Sequence, residues 1–439
     1  MTTEQLYEIY QQHPIISTDT RRIIPGCIFF ALKGDKFDAN TFAAQAVEAG
    51  AAYAVIDDGQ YQTDDRLLLV DNVLETLQQL AAYHRRQLTI PVIGLTGSNG
   101  KTTTKELINS VLSQRFKTYA TQGNLNNHIG VPLTMLSITG EHEMAVIEMG
   151  ANHQKEIELL SSISQPTHGL ITNVGRAHLE GFGGVEGVKK GKGELYDYLN
   201  VTEGVAFINS DSEALVEMQH QRHLTNVVYY GKNQNPGNLV SGLIVENAPY
   251  LKLQWTDNSA NETFTAATQL TGEYNLDNIL AAIAIGLYFD LAPAEINAGI
   301  EGYQPKNNRS QIVQTAANTL ICDYYNANPS SMFVAIENVG QISAGHKVLV
   351  LGDMFEMGEE AEAEHLSVIQ KAMATQVDER IFIGHEFYRH APEFDGPGAT
   401  FYATTEDAIA ALKQSPVKGA TVLIKGSRGM ALERLVELF

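Results

Sequence analysis

The sequence predicts an α/β fold of three domains, and three observations carry that reading. Short apolar runs alternate with helical stretches along most of the chain, as mostly parallel sheets covered by helices require. A glycine-rich turn, "GLTGSNGKTTTKE" (Gly94 to Glu106), joins one such run to a helix. Beyond residue 308 a second series of strand, glycine turn and helix begins. At 439 residues the chain is too long for one ordinary core and suggests about two to four domains.

In order, residues 1–87 form a small N-terminal α/β domain. Its strands are "CIFFAL", "AAYAVID" and "RLLLV", with a helix from Asn40 to Ala49 and another in "DNVLETLQQLAAYHRRQ". Residues 88–308 form a central domain opening with the strand "TIPVIGLTG" before the helix "TTTKELINSVLSQ", and continuing through "MAVIEMG" and "HGLITNV". These are buried-strand patterns alternating with helices. Within this part "YLKLQWTDNSANETFTAATQ" reads as an antiparallel hairpin turning at Asp257-Asn258, a β insertion. Residues 309–439 carry "KVLVLG", "RIFIG" and "TVLIKG", each expected to lead through a glycine turn into a helix, a Rossmann-like doubly wound unit.

Composition narrows the function classes. A net charge of -21, from 30 basic and 51 acidic residues, argues against a nucleic-acid partner, which would call for a basic footprint. Any anionic ligand must therefore be held by locally concentrated donors and metal. Cys27 and Cys322 lie in apolar, strand-like surroundings and read as buried thiols, not a disulfide. The N-terminus has no apolar signal core, and the longest apolar run, "ILAAIAIGLYF", is about half a membrane span. A monomeric cytoplasmic protein without a membrane span is expected.

The glycine-rich turn departs from the usual phosphate loop of glycine, four residues and Gly-Lys-Ser/Thr. Counting back from Gly100-Lys101-Thr102 puts Leu95 where the first glycine belongs. Yet the turn follows a strand and opens a helix, where backbone N–H groups face an anion and glycines allow close approach. Lys101 would then reach the β- and γ-phosphates, and Thr102 would bind Mg²⁺. The alternative is a strand-to-helix turn with an exposed lysine, which the context disfavours.

The short form T-G-x-x-G-K-T resembles that of the Mur ligases, ATP-dependent amide-forming enzymes of peptidoglycan precursor synthesis. Further segments occur in the family's order: "TQGNLNNHIGVPLT", "EMGANH", "ITNVGRAHLEGFG", "KGKGELYDYL", "INSDS", "GEYNLDNILAA", "NNRSQ", "DYYNANPSSM", "LGDMFEMGEEAEAEH" and "LIKGSRGMALERL". The run from Asp323 to Met332 resembles the last ligase of the series, which joins D-alanyl-D-alanine (D-Ala-D-Ala) to UDP-N-acetylmuramoyl-tripeptide. Two readings stay open beside it: a related ligase of the MurE or folylpolyglutamate synthetase kind, against which the Tyr-Asn-Ala-Asn-Pro run speaks, and a P-loop ATPase without ligase activity.

The resemblance implies a role for each motif. Gly97, Ser98, Asn99, Gly100, Lys101, Thr102 and Thr103 would hold ATP. So would Asn275 and Asn278, three apart on one helix face and able to offer amides to adenine, or else a capping pair. Arg309 would contact the γ-phosphate and Asp323 the ribose. Thr102, Glu148 and His178 would bind magnesium, with two ions expected. Alone, Glu148 reads equally as a solvated carboxylate, and imidazole is not a favoured magnesium ligand. Lys192 would be the lysine the family carbamylates with CO₂, a catalytic group together with Lys101 and His178, although the cluster also reads as a solvated basic face. Thr18, Asp19, Thr20 and Arg21 would hold the UDP portion. Asn124, Asn127, Asn326, Asn328, Lys425 and Ser427 would make further substrate contacts, the last four with the dipeptide. The family's Asp-Ser-Arg appears as Asp19-Thr20-Arg21, and its Asp-Gly-His as Asp38-Ala39-Asn40, which removes an imidazole and a glycine.

Overall fold

Four parallel strands, Ile16–Ser17, Ile28–Phe30, Tyr53–Ile56 and Leu67–Leu69, make the first sheet in that order. The computed structural model describes residues 1–34, 36–233, 235–247, 250–306 and 308–439. Asp35 and Asn307, the latter inside the "NNRSQ" segment, lie outside the described residues. The expected helix near Asn40 forms as a 3₁₀ turn, Ala39–Phe42, running into Ala43–Glu48. Asn40 itself is buried: its Nδ2 donates to Asp38 at 2.8 Å and Asp57 at 2.9 Å, and its Oδ1 accepts from the Asp57 N–H at 3.0 Å. The replaced imidazole position is thus an internal pin between two loops.

Helix Val73–Gln87 follows, capped by Asn72 at its start. Its buried face docks on the next sheet's helices, where Arg85 Nε donates to Ser164 O at 3.0 Å and His84 Nε2 contacts Ile138 O at 2.8 Å. Apolar side chains of the two regions share one continuous core.

The second sheet has nine strands. From one edge the order is Thr118–Ala120, Met144–Glu148, Val92–Thr96, His168–Ile171, Val205–Asn209, Val227–Gly231, Asn238–Glu246, Lys252–Asp257 and Glu262–Ala267. The first seven run parallel, and Lys252–Asp257 pairs antiparallel with the strand on either side of it. The insertion is therefore larger than the expected hairpin. Strand Asn238–Glu246 joins it to the parallel part, with Gly242 so close beneath helix Asn275–Tyr288 that a Cβ would sit 2.6 Å from Leu280. Chain order reverses at Val92–Thr96, whose sequence-successor strands lie on one side and His168–Ile171 on the other. Crevices beyond the carboxyl ends of strands at such a reversal are where open α/β sheets bind ligands.

The third sheet orders Gln311–Gln314, Thr319–Asp323, Thr421–Lys425, Lys347–Gly352, Glu379–Ile383 and Ala399–Tyr402, all parallel except the first. The expectation of a helix after "TVLIKG" is corrected: two 3₁₀ segments follow, Arg428–Met430 and Leu432–Leu438. Between them Ala431 takes a left-handed φ of 52°, which breaks helical continuity. Cys27 and Cys322 are free and buried. Among the described residues no helix is long and apolar enough to cross a membrane.

Candidate active site

The glycine-rich turn is built into its neighbour strand's exit. Gly97 has φ 146°, and a Cβ there would lie 2.0 Å from Thr172 Oγ1. Ser98 N–H donates to Asn173 O at 3.0 Å, Asn99 N–H to Asn173 Oδ1 at 3.0 Å, and Thr172 Oγ1 to Asn99 O at 2.6 Å. Gly100, at φ 78°, starts helix Lys101–Leu112. Thr172 and Asn173, at the exit of the neighbouring strand, thus brace the shortened turn.

The turn opens on a cavity of about 850 Å³ between the central and C-terminal sheets. Ser98, Asn99, Gly100, Lys101, Thr103, Asn127, Glu148, His178, Asn275, Asn278, Arg309, Asp323, Asn326, Asn328 and Lys425 all line it. Gly97, Thr102, Lys192, Asn124 and Ser427 do not. Gly97 and the buried Thr102 lie directly beneath the lining. Ser427 is also buried, and its Oγ accepts from Phe355 N–H at 3.0 Å. Thr18, Asp19, Thr20 and Arg21 sit in the N-terminal domain outside this cavity. There Arg21 donates twice to Asp19 at 2.9 Å, and those bonds hold the Asp19 carboxyl down at about 2.

Lys101 turns its Nζ back to Gly97 O at 2.6 Å and Ser98 O at 3.1 Å. Burial pushes its ammonium down to about 8, with Glu148 opposing and Arg309 adding to the shift. Glu148 ends the strand beside the turn and is buried. One oxygen accepts from Asn126 Nδ2 at 2.8 Å, while Oε2 is buried without a partner. An unpartnered carboxylate oxygen in a cavity wall suits a hard cation, so the residues fit magnesium. Among the described residues no group of three or more His, Cys, Asp or Glu side chains forms a metal cluster.

His178, at φ 53°, precedes the short helix Leu179–Phe182, and its Nδ1 hydrogen-bonds the Glu356 carboxylate. The His178 bond lowers Glu356 below its ordinary range, against the effect of burial. Lys192 lies in helix Val185–Val201 with Nζ donating to Ala151 O at 3.0 Å, 4.9 Å from the Phe182 ring. Burial, then the nearby Lys101 charge, drives its amine well below the usual lysine range. Lys189 instead pairs with Glu186 at 2.9 Å, and Lys190 is exposed.

Asn275 and Asn278 share a face, but their amides are already engaged. Asn278 donates to Asn275 Oδ1 at 2.9 Å and accepts from Thr104 at 3.0 Å, while Asn275 donates to Thr271 O at 2.7 Å. Asp323 accepts from Lys425 Nζ at 2.7 Å. Asn328 caps helix Pro329–Gln341 and reaches across to Asn99 Oδ1 at 2.8 Å. Asn127 Oδ1 accepts from Gly130 N–H at 2.8 Å. Two contributors escaped sequence reading. Asn126 orients Glu148, and Tyr325 lies under the guanidinium of Arg309 at 4.1 Å and of Arg428 at 5.3 Å. Their motifs were visible, but nothing in a motif states which partner a side chain meets.

Comparison with known proteins matches residues 95–286 to the Mur ligase middle domain and 308–428 to the Mur ligase, glutamate ligase domain. The UDP-N-acetylmuramoyl-tripeptide–D-alanyl-D-alanine ligase of Escherichia coli is 36% identical, over 96% of this chain and 92% of that protein. The ligase of the same name from Bacillus subtilis is 34% identical, over 98% and 94%. A crystal structure of MurF from Acinetobacter baumannii superposes with a TM-score of 0.88 at 33% identity, covering 99% of this chain and 98% of that one.

Proposed function

The chain belongs to the Mur ligase family, and from that premise we propose that it joins D-Ala-D-Ala to UDP-N-acetylmuramoyl-tripeptide at the expense of ATP. One observation carries the reading: the cavity gathers the phosphate turn, the carboxylate with a free oxygen and the C-terminal Asp323–Lys425 pair onto one space. We assign 1–87 to the UDP portion, 88–308 to ATP, and 309–439 to the dipeptide and the far side of ATP. The enzyme acts in the cytoplasm.

A carboxylate and an amine do not condense in water without a better leaving group. The tripeptide's terminal carboxylate oxygen attacks the γ-phosphorus of ATP, the bond to the β-phosphate oxygen breaks, and ADP leaves. The dipeptide's neutral amine then attacks the acyl phosphate carbon. The tetrahedral species loses a proton from nitrogen and expels inorganic phosphate. Both steps concentrate negative charge, so cations and N–H donors matter more than acid–base groups. Lys101 releases the Gly97 and Ser98 carbonyls and turns to the β- and γ-phosphates. The N–H groups from Gly100 to Thr103 face the same phosphates at the helix start. Arg309, stacked on Tyr325, contacts the γ-phosphate from the hinge.

Glu148, Thr102 and His178 would hold magnesium, which would supply charge neutralisation on the transferring phosphoryl group. Carbamylation of Lys192 would turn the buried amine into an anion, and it requires the neutral amine that burial favours. Asn275 and Asn278 fix the start of the helix beneath adenine, each with a second amide hydrogen to offer. Asp323 reaches the ribose with Lys425 holding its carboxylate in place. Asn326, Asn328 and the loop carrying Ser427 shape the dipeptide's seat, Asn124 and Asn127 contact the tripeptide side, and Thr18 to Arg21 contact the nucleotide end.

The test is product formation. ATP, D-Ala-D-Ala and UDP-tripeptides bearing either diaminopimelate or lysine are incubated with the protein, and the UDP-pentapeptide is read by mass. Absence of pentapeptide from both would overturn the proposal.

A further inference from the structure

His178 lies on the central-domain loop after strand His168–Ile171 and lines the cavity. The carboxylate bonded to its Nδ1 comes from the other domain. Glu356, also left-handed at φ 62°, stands between strand Lys347–Gly352 and helix Ala361–Ala374. Its loop is braced from within: Met354 N–H donates to His365 Nε2 at 2.9 Å and Phe355 N–H to Ser427 Oγ at 3.0 Å. Around this contact the two loops fit closely. A Cβ on Gly358 would lie 3.2 Å from Glu180, Arg176 N–H donates to Ser330 Oγ at 3.0 Å, and the Arg176 guanidinium pairs with the buried Glu364.

A carboxylate only accepts, so His178 donates from Nδ1, and in the neutral ring that leaves the lone pair on Nε2. Nε2 has no hydrogen bond among the described residues. Histidines that ligate metals commonly donate their other N–H to a carboxylate, which fixes tautomer and ring orientation. Here that partner sits on a domain joined to the loop by polar contacts, the kind of interface across which domains move. Two non-glycine residues with positive φ meeting at one contact also signal a geometry imposed for function.

We infer that Glu356 is a positioning residue: docking of the C-terminal domain aims His178 into the site and fixes its tautomer. The cation site is therefore completed only when the domains meet. The inference rests on the ligase reading for the identity of the cation, and for nothing in the geometry.

Mn²⁺ affinity, measured by electron paramagnetic resonance on the full chain with a saturating non-hydrolysable ATP analogue, tests it. Glu356 is exposed enough for substitution to leave the fold intact. Glu356→Ala should weaken Mn²⁺ binding about 10- to 100-fold. Glu356→Gln, whose amide oxygen still accepts from Nδ1, should recover most of that loss. In a His178→Ala background Glu356→Ala should cost nothing more. Wild-type affinity in Glu356→Ala, or an equal further loss in the His178→Ala background, would overturn the inference while leaving the ligase reading standing. If the wild type itself held no Mn²⁺ with the analogue, the magnesium reading would fall as well.

Discussion

Replacing Gly97 by alanine puts a methyl group where the phosphate turn has no room for one. At φ 146° the new Cβ would lie 2.0 Å from Thr172 Oγ1, 3.1 Å from Thr172 N and 3.2 Å from Asn173 N. Rotating Thr172 relieves the first contact but breaks its 2.6 Å bond to Asn99 O. Stranding a buried polar group costs about 1–3 kcal/mol, and holding alanine at this φ adds about 1–3 kcal/mol. The two backbone contacts remain and displace the turn by a few tenths of an ångström. A total of about 2–6 kcal/mol corresponds to a loss of nucleotide affinity well beyond tenfold if the turn must be restored on binding. Calorimetric titration with ADP, alongside thermal unfolding, measures both effects. Thr172→Ala in the same chain should return part of the loss, because it removes the 2.0 Å clash and not the others. ADP affinity within twofold of wild type in Gly97→Ala would refute the assignment of this turn to phosphate.

Lys101→Ala should retain less than about a tenth of wild-type kcat with an unchanged melting temperature, a tenth corresponding to ~1.4 kcal/mol of barrier. The pH dependence follows from the same residue. Burial lowers its pKa to about 8, so the ammonium that binds phosphate is present below that pH and lost above it. ADP affinity should therefore decline as pH rises through about 8, and Lys101→Arg should abolish that decline because guanidinium stays charged. Lys192→Ala should be nearly inactive and partly restored by acetate or formate in the vacated space, whereas Lys189→Ala and Lys190→Ala stay close to wild type. A collapse in Lys190→Ala would show the wrong lysine had been chosen.

The parallel strands were legible because five-residue runs such as Val92–Thr96 and Met144–Glu148 are buried on both faces and read as continuous apolar sequence. Strand Asn238–Glu246 was not, since Ser241 and Gly242 interrupt its apolar pattern and its place depends on packing against Leu280. Burial of Lys192 had a signal in the sequence. Val188, Lys192, Leu195, Tyr196 and Leu199 make one buried helical stripe, with lysine in an apolar position. Pairings were the illegible part. Glu356 meets His178 across 178 residues, and Asn126 meets Glu148 across 22. Composition and spacing name the residue types there, while the docking of separate sheets decides who faces whom. The Asn275–Asn278 pair shows the converse: helical spacing put both on one face and left open whether they meet adenine or brace the helix start, and only the packing shows their amides engaged at that start.

The most direct test of the central claim is inorganic phosphate release from ATP with each substrate withheld in turn. An acyl phosphate that forms on the tripeptide and is consumed by the dipeptide predicts sustained release only when UDP-N-acetylmuramoyl-tripeptide and D-Ala-D-Ala are both present. It also predicts one phosphate for each pentapeptide formed. Steady release from ATP alone, at a rate neither substrate changes, would contradict the account and make this chain an ATPase of another kind.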